Sequence, residues 1–402
     1  RYLRRSECTT MPEYFGARYC DLKNRRVAGI ITAVSLTAYL LSCITGVGIL
    51  MQELTGLSYE LCLFLAWFCF TAFTFYSGSK GVILTDTMMF MVFLIATIIA
   101  GPYVFKAQGG IGHLLETVSV SPWQAGRNMM AKSEHVTFRA GAIAAACTVI
   151  FLMYLNLQSV TVLNLNPGME DPQRVLIWAA FHVMPKLVGT LMLAGIMAAG
   201  LSSASTFLSV IGFSITSDIV FVEFKSEKQQ LFVSRVIMLI LGAISLLLAY
   251  TGIGSVRIVT YFASTIIAAS WGVSAIGSVV SKKLSATGAR WSMIAGFVGF
   301  IVTKCLVGFH VGLFATVFIN FLDPFFIGIY LSLFFAILGS KLHPVTEEEK
   351  AYREKLLILP ESEKVIKDYK IDKVFGYLLI AAGIAVTLFL LFGWALPYNG
   401  II

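Results

Sequence analysis

Small and hydroxylated residues crowd one side of the apolar run Gly195–Ser214, which reads G-I-M-A-A-G-L-S-S-A-S-T-F-L-S-V-I-G-F-S. At 3.6 residues per turn, Gly195, Ala198, Ser202, Ser205, Thr206 and Ser209 fall on one stripe, flanked by Ala199 and Ser203. Leu201, Phe207, Leu208, Val210 and Ile211 occupy the other faces. Hydroxyl and carbonyl oxygens are what a hard cation needs once its water is removed. The same stripe would also let a second helix approach closely, with its hydroxyls bonded back to their own helix or across the contact. An ion site and a packing seam are both open on this stretch alone.

A carboxylate offers the second piece of chemistry. Asp86 follows Thr85 near the start of an apolar run, S-K-G-V-I-L-T-D-T-M-M-F-M-V. A carboxylate inside such a run is costly and points to function. The plainer reading is a helix cap near the interface, since Asp is a strong N-cap. Arg257 opens another run, where it either draws an anionic solute inward or reaches to the interface as a snorkelling arginine. Tyr261, Ser264, Thr265 and Ser270 give that run a polar side, which lines a solute pathway or satisfies itself.

The elements that position these residues are membrane helices. Of the 402 residues, 57% are hydrophobic and 13% charged, about half the charge of a soluble domain; the mean hydropathy is +0.82. The net charge of +8 does not indicate nucleic acid, because the basic residues gather in short segments between apolar runs. The seven cysteines include no C-x-x-C pair and read as small buried hydrophobes. The histidines are scattered, and no nucleotide loop, zinc spacing or nucleophile–base arrangement stands out, so an enzyme is not expected.

Apolar runs at 27–52, 60–79, 83–106, 140–164, 185–213, 231–252, 257–281, 289–309, 313–340 and 374–396 are each long enough to span about 30 Å as a helix. The expected fold is therefore an all-α polytopic membrane protein with about ten spans. Residues 1–26 form a basic cytoplasmic segment, 27–340 an incomplete membrane core, 341–373 a charged cytoplasmic loop, and 374–402 a last membrane helix and tail. Basic loops at 214–230, 282–290 and 341–373 all fit on the cytoplasmic side. The count fails at one place. The 83–106 span must end outside and the 140–164 span must begin inside, so a crossing is missing near 107–127, or 117–130 re-enters the membrane shielded by protein.

Three motifs along the chain resemble those of the sodium/solute symporter family. Thr10, Pro12, Glu13, Tyr14 and Arg18, in T-M-P-E-Y-F-G-A-R, resemble its loop between the second and third core helices. Tyr76, Gly78, Lys80, Thr85 and Asp86 resemble its Y-G-G-x-K-x-x-x-x-T-D region, from which Ser77 and Gly81 depart. Ala198-Ala199-Gly200-Leu201-Ser202-Ser203 resembles the A-A-x-x-S-[ST] of its eighth core helix. The resemblance implies an inverted-repeat symporter bundle with helices unwound at mid-membrane. It implies a sodium site using the Ala199 carbonyl and the Ser202 and Ser203 hydroxyls. It also implies a second sodium site formed by Asp86, Ser202, Ser205 and Thr206. It places the start of this chain after the first two core helices, the first of which supplies the other half of the principal site. It also puts the missing crossing at the sixth core helix.

The expectation that follows is a multi-pass protein of the cytoplasmic (plasma) membrane, surrounded by lipid, that imports a small organic solute with sodium by alternating access. Arg257, Tyr261 and Ser264 are its expected solute pathway. Sodium is the coupling ion, with no other cofactor and no nucleic-acid partner. The alternatives are a membrane sensor or scaffold reusing the fold, or a transport-incompetent fragment.

Overall fold

The computed structural model describes residues 2–107, 134–169, 171–220, 227–252, 255–308, 323–358, 366–390 and 392. Their regular structure is helical: α1 Tyr2–Arg5, α2 Met11–Arg18, α3 Leu22–Thr55, α4 Tyr59–Ala107, α5 Glu134–Leu165, α6 Val175–His182, α7 Lys186–Ser214, α8 Glu227–Tyr250, α9 Val256–Val280, α10 Ala286–Gly308, α11 Pro324–Leu342, α12 Glu347–Leu357 and α13 Ile366–Leu390. Among the described residues, nine stretches are long and apolar enough to cross a membrane. The expected span 140–164 lies within the 32-residue α5. The expected span 313–340 is represented by α11, which begins at Pro324 because the Asp323 side chain caps the Phe325 N–H at 2.8 Å. Residues 313–322 lie outside the described ones.

The expected spans 60–79 and 83–106 form one helical segment that doubles back. A straight helix of 49 residues would be about 74 Å long, more than twice a bilayer core. Leu63 and Tyr59 abut Gly48 of α3, while Val47 abuts Gly200 of α7. Leu63 and Phe70 share a buried cluster with Ala204 and Leu208. Past Tyr76 the order along α7 inverts. Asp86 meets Ser202 and Thr206, Phe93 and Ala96 meet Gly195, and Thr97 meets Met192. The two halves of α4 therefore run in opposite directions against α7.

The second half of α4 and α5 run in the same direction. Phe93 packs edge-on against Phe151, with centroids 5.5 Å apart. Further along both helices, Gln158 donates to the Thr97 carbonyl at 3.1 Å, and Val162 joins the cluster of Ala100 and Val104. Ala107 and Glu134 thus lie at opposite ends of the bundle. The crossing or re-entry expected over 107–130 falls outside the described residues.

The basic first segment is more than a juxtamembrane tail. Thr10 caps α2 by accepting from the Glu13 N–H at 3.0 Å, and Pro12 sits in the first turn, where its missing N–H costs nothing. Tyr14, Phe15, Arg18 and Tyr19 are buried. Tyr14 bonds Ser278, Arg18 donates to the Ser278 carbonyl at 2.9 Å, and Tyr19 donates to that of Ser274. The Arg18 bond satisfies a carbonyl in the last turn of α9 that has no partner within the helix. The charged loop contributes α12 to the same layer. Arg353 donates to the Val279 carbonyl, and Arg5 to that of Leu356. The buried Glu349 carboxylate accepts from the Ala286 N–H at 3.3 Å, and burial pushes its pKa above the ordinary glutamate value. At the far end of the chain α13 packs on α5, where Arg139 meets Asp372 at 3.0 Å.

Candidate functional site

The stripe on α7 divides into two kinds of hydroxyl. Ser205 donates to the Ser202 carbonyl and Ser209 to the Ser205 carbonyl, each at 2.9 Å, so both turn back on their own helix. Ser202 and Thr206 instead reach across to the second half of α4. Ser202 donates to Asp86 Oδ1 at 2.6 Å and Thr206 to Oδ2. Residues 202 and 206 are one turn apart, so a single carboxylate can take both.

Close approach makes this reach possible. Gly195 lies where a Cβ would stand 3.1 Å from the Phe93 backbone, so α7 and α4 touch without an intervening side chain. A packing seam and a polar site therefore coexist on one stripe. Among the described residues, the charge of Asp86 is met by hydroxyls, in charge-assisted bonds of the stronger kind, and by no buried cation. The capping reading has less support, because the Asp86 carboxylate oxygens accept from Ser202 and Thr206 of α7 rather than from the backbone of α4.

The other expected ligands stand nearby but play different parts. Ala199 and Ser203 are half-buried on the side of α7 where Gly200 meets Val47 of α3. Ser205 is fully buried beside Ser202. The structure therefore brings together Asp86, Ser202 and Thr206, with Ser205 adjacent. Arg257, Tyr261 and Ser264 sit elsewhere, on α9, which packs against α3, α10 and α11. Ser264 donates to carbonyls of its own helix, and the Tyr261 hydroxyl lies 3.5 Å from Asp323. Arg257 is exposed.

Sequence reasoning passed over a cleft at the opposite end of the bundle from the basic loops. It encloses about 370 Å³ between α3, the start of α4 and the segment after α5, and its polar lining includes Thr45, Gln52, Tyr59, Gln173 and Arg174. Arg174 is paired with Glu53 and lies 3.4 Å from Asp171. Gln173 accepts from the Val256 N–H at 2.7 Å, which places Arg257 beside the rim. The bundle thus carries a polar cleft at one end and, in its interior, a carboxylate facing two hydroxyls across a close helix contact.

Comparison with known proteins agrees. A family model described as "Sodium:solute symporter family" matches residues 1–162 and 119–296. The sodium/proline symporter of Salmonella typhimurium strain LT2 is 25% identical over 337 residues, covering 73% of this chain and 67% of that protein. The sodium/proline symporter 2 of Staphylococcus saprophyticus is 26% identical over 330 residues, covering 72% and 65%. The fold matches the substrate-bound, outward-open structure of a Na+-coupled sialic acid symporter with a TM-score of 0.65 at 17% identity, over 86% of this chain and 80% of that one. The chain belongs to the sodium:solute symporter family: it is a sodium-coupled solute symporter that crosses the plasma membrane many times. It spans about two thirds of the length of the two relatives.

Proposed function

We propose that the protein imports a small organic solute by alternating access, driven by sodium, and that Asp86, Ser202 and Thr206 hold one of the coupling ions. The observation that carries this reading is the Asp86 carboxylate facing Ser202 and Thr206 across the α4–α7 contact. The two hydroxyl hydrogens satisfy the carboxylate. A sodium ion would take their place, with the hydroxyls rotating to present lone pairs. In a low-dielectric setting the carboxylate would favour that exchange strongly. Ser205, whose oxygen retains lone pairs, completes this set. Ala199, Ser202 and Ser203 supply part of the principal sodium site.

Solute enters through the outer cleft, with Arg257 at its rim and Tyr261 and Ser264 deeper along α9. The relatives' names favour solutes such as amino acids or acidic sugars. Residues 1–26 and 341–373 form the cytoplasmic layer, 27–340 the transporting core, and 374–402 a peripheral helix and tail. The reading is tested with the purified protein in proteoliposomes, under an inward sodium gradient. Uptake is measured over a panel of amino acids, sugars, carboxylates and vitamins. Sodium-dependent accumulation of one class supports it, and accumulation that ignores the sodium gradient overturns it.

A further inference from the structure

The strongest polar cluster outside the cation site is at the cytoplasmic end of α7, where the helix widens into the π-helical turn Ile215–Val220. Asp218 in that turn is fully buried. Its carboxylate accepts from Arg25 Nε at 2.9 Å, from Thr10 at 3.0 and 3.1 Å, and from Ser214 at 3.0 Å. Glu13 lies 3.9 Å from the same arginine. Thr10 thus uses one hydroxyl twice: its oxygen caps α2 and its hydrogen goes to Asp218. Gly29, one turn beyond Arg25, lets α7 lie flush on α3, since a Cβ there would stand 2.9 Å from Ile219 and 3.2 Å from Asp218.

The bonding is lopsided. α2 is fixed to α9 by Tyr14, Arg18 and Tyr19, all buried. Among the described residues, its polar link to α7 runs through this one carboxylate. The outer end offers a contrast: the Arg174–Glu53 pair beside the open cleft is 42% and 31% exposed. Exposed pairs contribute little, whereas a buried, fully bonded carboxylate holds its partners firmly. A network that closes one end while the other stands open is what an alternating-access cycle must break.

Resting on the transport reading above, we propose that Asp218, Arg25 and Thr10 form a cytoplasmic latch. It joins α2 and α3 to α7, keeps the inner end shut while the outer cleft is open, and parts when cargo is released inward. Gly29 is the close-approach point that lets the latch seat.

The test uses the full protein in inverted membrane vesicles, in a background without cysteine except Leu36→Cys. Leu36 lies two turns past Gly29 on the same side of α3 and is half-buried. Its alkylation by a membrane-impermeant maleimide reads access from the cytoplasmic face. Asp218→Asn keeps the shape and removes the charge, and it raises the labelling rate at least about threefold. Ser214→Ala raises it less, and Asp218→Glu less than Asp218→Asn. Gly29→Leu, which wedges the two helices apart and leaves the carboxylate intact, raises it as Asp218→Asn does. It decides the matter if Asp218→Asn does not reach the membrane. Labelling unchanged from the parent in the decisive variant overturns the latch. The readout needs neither sodium nor solute, so failure of the latch leaves the transport reading standing, and the two failures show in different measurements.

Discussion

The Ser202 hydroxyl lies 2.6 Å from Oδ1 of Asp86, a carboxylate 116 residues earlier in the chain. Ser209, two turns further along the same stripe, spends its hydroxyl on the Ser205 carbonyl. One stripe thus holds a hydroxyl that crosses to a carboxylate and a matched control that turns back on its own helix. Ser202→Ala should raise the sodium concentration for half-maximal uptake by about tenfold, equivalent to about 1.4 kcal/mol. Ser209→Ala should leave it within about twofold, since back-bonded hydroxyls on membrane helices contribute little. Sodium titrations of uptake check both. Equal half-saturation in the two variants would reduce the stripe to packing.

Asp86→Asn separates ligand from cap. Asn caps a helix as well as Asp does, so a capping role survives the change. Its Oδ1 still accepts from one of the two hydroxyls and its amide N–H donates to the other, so the α4–α7 contact should hold and surface expression should stay normal. The negative charge is gone. Sodium-driven uptake should fall at least about tenfold, a loss of about 1.4 kcal/mol or more, with the number of coupled ions reduced. Uptake with unaltered sodium dependence would remove Asp86 from the site.

Gly189→Ala tests packing without chemistry. A Cβ at Gly189 would stand 2.2 Å from the Ala180 carbonyl oxygen, where α6 turns into α7. Backbone cannot yield as a flexible side chain does, so the variant should be destabilised by about 1–3 kcal/mol. Thermal unfolding in detergent measures this. Half-saturation by sodium should not move, because the contact lies at the other end of α7 from Asp86.

Topology supplies another expectation. With Ala107 and Glu134 at opposite ends of the bundle, Lys106→Cys and Lys186→Cys should label from outside with an impermeant reagent. Glu134→Cys and Lys282→Cys should label from the cytoplasm. Labelling of positions 106 and 134 from one face would contradict the parallel course of α4 and α5.

The cytoplasmic layer should respond to pH through Glu349. Its carboxyl is held above the ordinary value by burial, so the folded state favours the protonated form. Stability from this group is present at acid pH and is lost as pH rises through the raised value. Glu349→Gln should flatten that part of the thermal-midpoint profile between mildly acidic and neutral pH. A profile as steep as the parent's would place the dependence elsewhere.

The membrane helices were legible because length and apolar composition are local properties. The α2 cap was carried by a motif, T-M-P-E, whose threonine and proline have fixed positions in a first turn. The stripe on α7 was legible from periodicity, but which of its hydroxyls cross to Asp86 was not. Ser202, Ser205, Thr206 and Ser209 share one face, and only the position of α4 sorts them. The Asp218 cluster and the Arg174 cleft were missed for a related reason. Asp218 and Thr10 are 208 residues apart, and Arg25 in a basic segment reads as a topology signal rather than a partner. Arg257 drew attention by opening an apolar run, whereas Arg174 lines the cleft from a short segment with no periodicity.

The parallel course of α4 and α5 also fixes an order of assembly. Neighbouring spans that run antiparallel can enter the bilayer as a hairpin, already paired. Asp86–Ala107 and α5 cannot, because the chain must return to the cytoplasmic side before α5 can start. The Gln158 amide therefore enters the bilayer ahead of its contact with the Thr97 carbonyl, which forms only once both segments are in place. Mutations at this pair should appear first as a slow or failed late step of maturation rather than as a loss of insertion.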